Sequence, residues 1–358
     1  MMRVISKRKI KEFRRKLQEN NIDVAIFINT EGIKDVNIRY FTGFPDEESF
    51  SMLTITQDKI KLFLTSLTYD LAKAATVDEV IKKNESISKI LGEFKNKTIG
   101  IVEENFPFAL SKRFNKKRIK SISNIIYNLR AVKEKKELEL IKKACNITNK
   151  GIKFIEDNLH GGMRERDIAL ALEDEMKNSG AEEMSFKTIV TSSKRSWLIH
   201  PYPSYSKKKI TRGLGLIDFG VKYKGYCSDV TVPFYVGKLN EKEKKILNTV
   251  METYEKCKDS LQVGMPTWEI NNVATKSINE HGFEFKHIVG HGIGLEVHDF
   301  PLLAPKGPGR EMKIKNGMVF TMEPGVYEVG VGGLRIENDI MVKGNKFKFL
   351  TKSRLLKI

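Results

Sequence analysis

Four carboxylates and one histidine carry the chemistry that this sequence could perform. Asp218 and Asp229 lie in LIDFGVKYKGYCSD, within runs apolar enough to be buried strands. A two-residue turn at Tyr223-Lys224, followed by Gly225, would set Asp218 directly opposite Asp229 on one face of a hairpin. Directly opposed Cβ atoms lie about 5 Å apart. Two carboxylates that close repel unless a proton or a cation stands between them, and an Asp on an apolar strand is costly without such a partner. Glu323 and Glu337 repeat the arrangement. They flank EVGVGG, and a hairpin centred on Gly330 faces them across paired strands. One such pair is easily a surface coincidence; two, each in an apolar strand with a workable register, point to a cation.

The fifth candidate is His291 in GHGIGLEVH, where small glycines on both sides allow close approach to a site. A lone histidine is more often structural than a ligand. Here His200, His287, His291 and His298, of six histidines in all, fall outside helix faces. Four carboxylates and one imidazole form a hard, oxygen-rich set that suits two Mn, Co, Fe or Zn ions better than a thiolate zinc site. Two ions about 3.5–4 Å apart can activate a water and polarise a carbonyl, which is hydrolytic chemistry. No HExxH, GxSxG, Walker A or GxGxxG pattern occurs, so zincin, serine-hydrolase and nucleotide-binding readings lose their usual support.

The elements that must position these residues follow from periodicity. Ile10, Phe13 and Leu17 share one face of a helix over 7–19, opposed by Lys7, Lys11 and Arg14. Strands are expected at 23–29 and 98–102, with a hairpin over 52–66 turning near Gln57-Asp58. Alternating helix and strand signals make the first third a small α/β domain. A long helix is expected from 133 to 157 and a second from 165 to 178, then strands at 187–192, 214–221 and 226–236. Asn240 with Glu243 reads as a capping box for the next helix, and Thr267 as the cap of another that stops at Gly282. Strands are expected at 286–289, 318–327, 334–342 and 346–350. The whole is α+β, with domains at 1–125 and 126–358.

A chain of 358 residues is long enough for two domains with separate cores. No run is apolar or long enough for a membrane span, and the N-terminus lacks the apolar stretch of a secretory signal, so a cytoplasmic location is the expectation. Cys145, Cys227 and Cys257 are scattered, without a CxxC pair, and suggest neither a disulfide framework nor a zinc ribbon. The net charge of +18 comes from lysines spread over solvated helix faces rather than gathered into a strip with aromatics, which speaks against nucleic acid as the main partner.

Together these motifs resemble the creatinase, prolidase and aminopeptidase P group, whose catalytic half has the pita-bread fold shared with methionine aminopeptidase. FRRKLQENNIDVAIFIN and IRYFTGF are similar to the group's N-terminal domain, and NLRAVKEKKELELIKKA to the start of its catalytic domain. LIDFG, SDVT, GHGIGLEVHDFP, FTMEPGVY and GGLRIEND follow in order. The resemblance implies a dinuclear metallo-exopeptidase that hydrolyses small peptides with proline second, works as a homodimer and uses Mn or Co, with Zn or Fe as alternatives. It implies that Asp218 binds one ion, that His291 with Glu323 binds the other, and that Asp229 and Glu337 bridge them. Glu323 would also handle the proton, His298 would stabilise the tetrahedral intermediate, and His200 would be the upstream active-site histidine. Tyr327 and Arg335 would orient Asp218.

Three departures qualify the resemblance. All five ligands are intact, unlike in creatinases, which argues against creatine hydrolysis. Val232 stands where an arginine commonly follows Ser-Asp-Xaa-Thr. Leu302 follows His298-Asp299-Phe300-Pro301 where prolidases often carry an arginine for the dipeptide carboxylate, which tilts the expectation toward an Xaa-Pro aminopeptidase over a dipeptidase, with Arg310 or Lys306 as substitute anchors. Two alternatives are weighed. A methionine aminopeptidase would not need the extra N-terminal domain. A non-catalytic pita-bread module binding a peptide or nucleic acid would usually have lost a ligand.

Overall fold

The apolar stripe of the first segment is buried as its spacing requires: Ile10, Phe13 and Leu17 line the inner face of α1 (Lys7–Glu19). Ser6 caps this helix, its hydroxyl accepting from the Lys9 N–H at 3.3 Å. The computed structural model describes residues 5–45, 49–83, 86–307 and 311–358. It divides into two compact units, Met1–Arg130 and Ala131–Ile358.

In the first unit the elements run α1, β1 (Val24–Asn29), α2 (Asn37–Thr42), β2 (Ser51–Thr56), β3 (Ile60–Leu64), β4 (Glu79–Lys82), α3 (Ile87–Gly92), β5 (Ile99–Ile101), α4 (Phe108–Ser111), β6 (Ile119–Ser121) and α5 (Ser123–Ala131). The strands form one mixed sheet in the order β4-β3-β2-β1-β5-β6. β1 is buried throughout, which explains its unbroken apolar run. Phe13, Phe27 and Phe41 pack together with ring centroids 4.8–6.3 Å apart, the separation at which tilted rings attract.

The second unit opens with α6 (Lys135–Asn158), whose start is fixed by a capping box in which the Glu134 N–H donates to Glu137. It continues through α7 (Glu165–Asn178), β7 (Glu183–Met184), β8 (Ile189–Ser192), β9 (Gly213–Phe219), β10 (Val221–Tyr223), β11 (Tyr226–Cys227) and β12 (Val230–Val236). The helices α8 (Glu241–Ser260) and α9 (Thr267–Glu280) follow, then β13 (Gly290–Gly292), β14 (Asp299–Leu303), β15 (Val319–Met322), β16 (Gly325–Glu328), β17 (Gly332–Arg335), β18 (Asn338–Lys343), β19 (Lys346–Phe349) and β20 (Leu356–Lys357). Two of its sheets matter most here, β20-β12-β9-β8 and β14-β13-β15-β18-β19. Apolar clusters back them: α6 and α7 side chains pack with β9 and β12, and those of α8 and α9 with β15 and β18. Val232, at 0% exposure, is part of the first cluster.

Several expectations are corrected. The hairpin turns at Lys224-Gly225, both in the left-handed region with φ of 49° and 81°, the conformation that matches strand twist. Tyr223 therefore pairs with Tyr226, and Asp218 faces Thr231 rather than Asp229. Asp229 lies two residues before Thr231, on the same face by the period of a strand. The second hairpin has the expected register, with Gly325 opposite Arg335 on one side and Met322 opposite Asn338 on the other. Glu323 and Glu337 occupy the gap between these two ladders. Residues 286–289 are not a strand; pairing begins at Gly290. Thr267 is the first residue of α9, and Pro266 is its cap.

Candidate metal centre

His291 is carried by β13, the short strand that packs between β14 and β15. Its two glycine neighbours are there because nothing larger fits. A Cβ on Gly290 would lie 2.1 Å from the Thr321 carbonyl oxygen, and one on Gly292 would lie 2.1 Å from the Phe300 carbonyl carbon. The imidazole Nδ1–H donates to the Gly292 carbonyl at 3.1 Å, so the lone pair is on Nε2. Nε2 faces Glu323 Oε1 at 3.4 Å and Asp229 Oδ2 at 3.7 Å. Burial pushes the His291 pKa down to about 3, with neighbouring His298 adding to the effect. A neutral ring thus turns its lone pair toward carboxylate oxygens.

Ligand atoms of Asp229, His291 and Glu337 all lie within 4.8 Å of one another. Burial raises both carboxylates well above their ordinary range, and the charges of neighbouring acids add to the rise, Glu337 acting on Asp229 and Glu323 on Glu337. Asp218 Oδ1, Asp229 Oδ1 and Glu337 Oε1 are buried without a hydrogen-bond partner among the described residues. Orphaned oxygens of this kind are what a bound cation satisfies, and the donor set of carboxylates and imidazole is that of a hard divalent ion. The residues present therefore fit the metals.

Arg335, 2% exposed, organises the other side. Its Nη2 donates to Asp218 Oδ2, its Nη1 to the Tyr327 hydroxyl at 2.7 Å and its Nε to Thr231 Oγ1 at 2.9 Å. Its Nε also lies 4.0 Å from Glu323 Oε2. Burial raises Asp218, with Arg335 opposing the shift, and pushes Glu323 up to about 7, again against Arg335. The Tyr327 hydroxyl meets His287 Nε2 at 3.2 Å.

His200 and His298 are exposed and line one cavity of about 390 Å³ with Asp218, Asp229, His291, Glu323, Arg335 and Glu337. The His298 ring stands 4.4 Å from that of His291, edge to face. All nine site residues named from the sequence lie in the second unit, and eight of them line this cavity, joined by His287; Tyr327 reaches it through Arg335. Arg310 lies outside the described residues. Lys306 sits 4.0 Å from Glu311 and does not line the cavity.

Two contributors were not foreseen. Thr231 accepts from Arg335 and donates to Glu337 Oε2 at 2.7 Å. Asp339 Oδ2 accepts the Asp229 backbone N–H at 3.0 Å and the Cys145 thiol at 3.3 Å. Thr231 stands two residues after Asp229 in SDVT, and that spacing was the available signal; Asp339 gave none.

Residues 139–344 match Metallopeptidase family M24, and residues 9–132 match the Creatinase/Prolidase N-terminal domain. The chain belongs to the M24 metallopeptidases. It is a metal-dependent peptidase whose pita-bread catalytic domain follows a creatinase/prolidase N-terminal domain. It is 36% identical over 347 residues to an Xaa-Pro dipeptidase of Pyrococcus furiosus, covering 94% of this chain and 95% of that protein. The structure is similar to a prolidase from Pyrococcus horikoshii, with a TM-score of 0.88, 32% identity and 98% and 99% of the two chains covered. It is also similar to an X-Pro aminopeptidase from Thermotoga maritima, with a TM-score of 0.84, 31% identity and the same coverage. No described helix is long and apolar enough to cross a membrane.

Proposed function

We propose that this chain is a dinuclear Xaa-Pro dipeptidase in which Asp218, Asp229, His291, Glu323 and Glu337 hold two divalent ions. The observation that carries the reading is the convergence of Asp229, His291 and Glu337 ligand atoms within 4.8 Å, with three buried carboxylate oxygens left unpartnered around them. Substrate class comes from the relatives named Xaa-Pro dipeptidase and prolidase. These outweigh the aminopeptidase expectation drawn from Leu302, and the similar X-Pro aminopeptidase makes a tripeptide the natural comparison. Mn and Co are the first ions to test, with Zn and Fe as alternatives. A homodimer and a cytoplasmic setting belong to the same reading.

When bound, the two ions supply a Lewis acid for the scissile carbonyl and an activated water. Asp218, oriented by Arg335, would hold the ions together with Asp229, His291, Glu323 and Glu337. Glu323, on the cavity wall beside His291, takes the proton of the attacking water and passes it to the proline nitrogen as the bond breaks. His298, exposed on the cavity wall, donates to the oxygen on which charge develops. His200 lines the same wall and contacts the substrate.

The test is hydrolysis of Ala-Pro and Ala-Pro-Ala by Mn- or Co-loaded protein, with Asp218→Asn as the blank. Faster cleavage of Ala-Pro supports the dipeptidase. Release of alanine from the tripeptide alone makes it an aminopeptidase, and inertness of metal-filled protein toward both removes the catalytic reading.

A further inference from the structure

We infer that Lys187 is the residue that selects dipeptides, by binding the carboxylate of the substrate proline; this rests on the proposed Xaa-Pro peptidase activity. A dipeptide differs from every longer substrate in one respect: a full negative charge stands one residue, at most about 3.6 Å of chain, beyond the scissile carbonyl. With the wall carboxylates engaged by the ions, pairing that charge calls for a cation of the wall that has no other partner. Among the described residues, two permanent cations line the cavity, Arg335 and Lys187. Arg335 is buried and committed to Asp218, Tyr327 and Thr231. Lys187 is exposed, and its ammonium has no ion pair or hydrogen bond among the described residues. Among the described residues it is the wall cation open to a ligand.

The chain on both sides of Lys187 is pinned, so its position is set. Before it, the Ser185 N–H donates to the Gly220 carbonyl at 2.9 Å and the Ser185 hydroxyl to the Ser228 carbonyl at 3.0 Å. After it, Ile189 pairs with Asp218, and Ile189 packs with Leu216, Tyr327 and Ile199. Lys187 is thus two residues, no more than about 7 Å of chain, from the strand position opposite a candidate metal ligand. Phe186, Ile189 and Ile199 supply apolar wall beside it, a surface suited to a proline ring. The carboxylate of a dipeptide meets the Lys187 ammonium beside this apolar wall. A neutral C-terminal amide or a longer peptide leaves Lys187 without its partner.

The experiment compares Ala-Pro, its C-terminal amide Ala-Pro-NH2 and Ala-Pro-Ala on the Mn-loaded full chain, for wild type, Lys187→Met and Lys187→Arg. An ion-paired hydrogen bond of this kind carries about tenfold or more in kcat/KM. Wild type should prefer the acid over the amide by at least that factor, expressed mainly in KM. Lys187→Met should collapse the acid-to-amide ratio toward one, and Lys187→Arg should restore it. An unchanged ratio in Lys187→Met overturns the assignment, as does an equal loss on acid and amide. Wild type that cleaves Ala-Pro-NH2 or the tripeptide as well as Ala-Pro overturns it too, while leaving the Xaa-Pro activity standing. Wild type inert toward all three removes the parent reading instead.

Discussion

The Thr231 hydroxyl donates to Glu337 Oε2 across 2.7 Å while accepting from Arg335 Nε at 2.9 Å. One small side chain thus ties a candidate bridging carboxylate to the guanidinium that holds Asp218. Removing the hydroxyl frees both at once. Thr231→Val keeps the volume and the strand propensity, so the fold should survive. Manganese affinity, measured by calorimetric titration, should fall about 10- to 100-fold, the usual effect of losing a ligand's own support. Unchanged affinity would mean that Glu337 is oriented by other contacts.

Arg335 should matter as much to stability as to catalysis. Its charge is buried with that of Asp218, and breaking one side of a buried pair leaves the other uncompensated. Arg335→Met should lower the unfolding free energy of the metal-free protein by about 3–5 kcal/mol, read from urea denaturation. A loss below about 1 kcal/mol would show that Asp218 takes up a proton at little cost.

Backbone contact at β13 gives a third expectation. The Cβ of Gly292→Ala would fall 2.1 Å from the Phe300 carbonyl carbon, and backbone on both sides leaves little room to relax. The substitution should cost about 1–3 kcal/mol and weaken manganese binding by displacing His291. A wild-type urea midpoint with wild-type affinity would contradict the tight packing of this strand.

Metal-free protein should lose stability as pH rises, contrary to the common carboxylate case. Glu323 and Asp339 are raised from ordinary values of 4.5 and 3.8 to about 7, in both mainly by burial, and burial also raises Asp229 and Glu337 well above their ordinary values. The folded state therefore binds more protons than the unfolded one, and stability falls with pH through that window. His287 and His291, lowered to about 3 from 6.5 by burial, act in the opposite sense. Their contribution is complete once pH passes their unfolded value, so between pH 7 and 8 the carboxylates set the slope. Urea midpoints of chelated protein should drop from pH 7 to pH 8, and manganese affinity should rise over the same interval because ligands must be deprotonated. A midpoint that climbs with pH would contradict the buried, protonated cluster.

Much of this site was legible in the residues because buried carboxylates need a reason. The hairpin around Gly330 has the register its glycines imply. The hairpin of Asp218 and Asp229 was displaced by two residues, since a lysine with positive φ at the turn leaves no mark in a sequence. That shift preserves the face but changes the neighbour, and so Thr231 was missed. β14 was missed as well: its HDFPLL stretch contains a proline that argues against a strand. Asp339 acts through the Asp229 backbone, a tertiary contact invisible to spacing. Lys187 reads as one lysine among many until the cavity is seen.

The most direct measurement is a manganese titration of chelator-stripped protein, followed at each step by hydrolysis of Ala-Pro. Two ions should bind per chain, turnover should appear only as they bind, and Glu337→Gln should abolish tight binding of both. Hydrolysis by metal-free protein, or full activity with Glu337→Gln, would contradict a metal centre built on Asp218, Asp229, His291, Glu323 and Glu337.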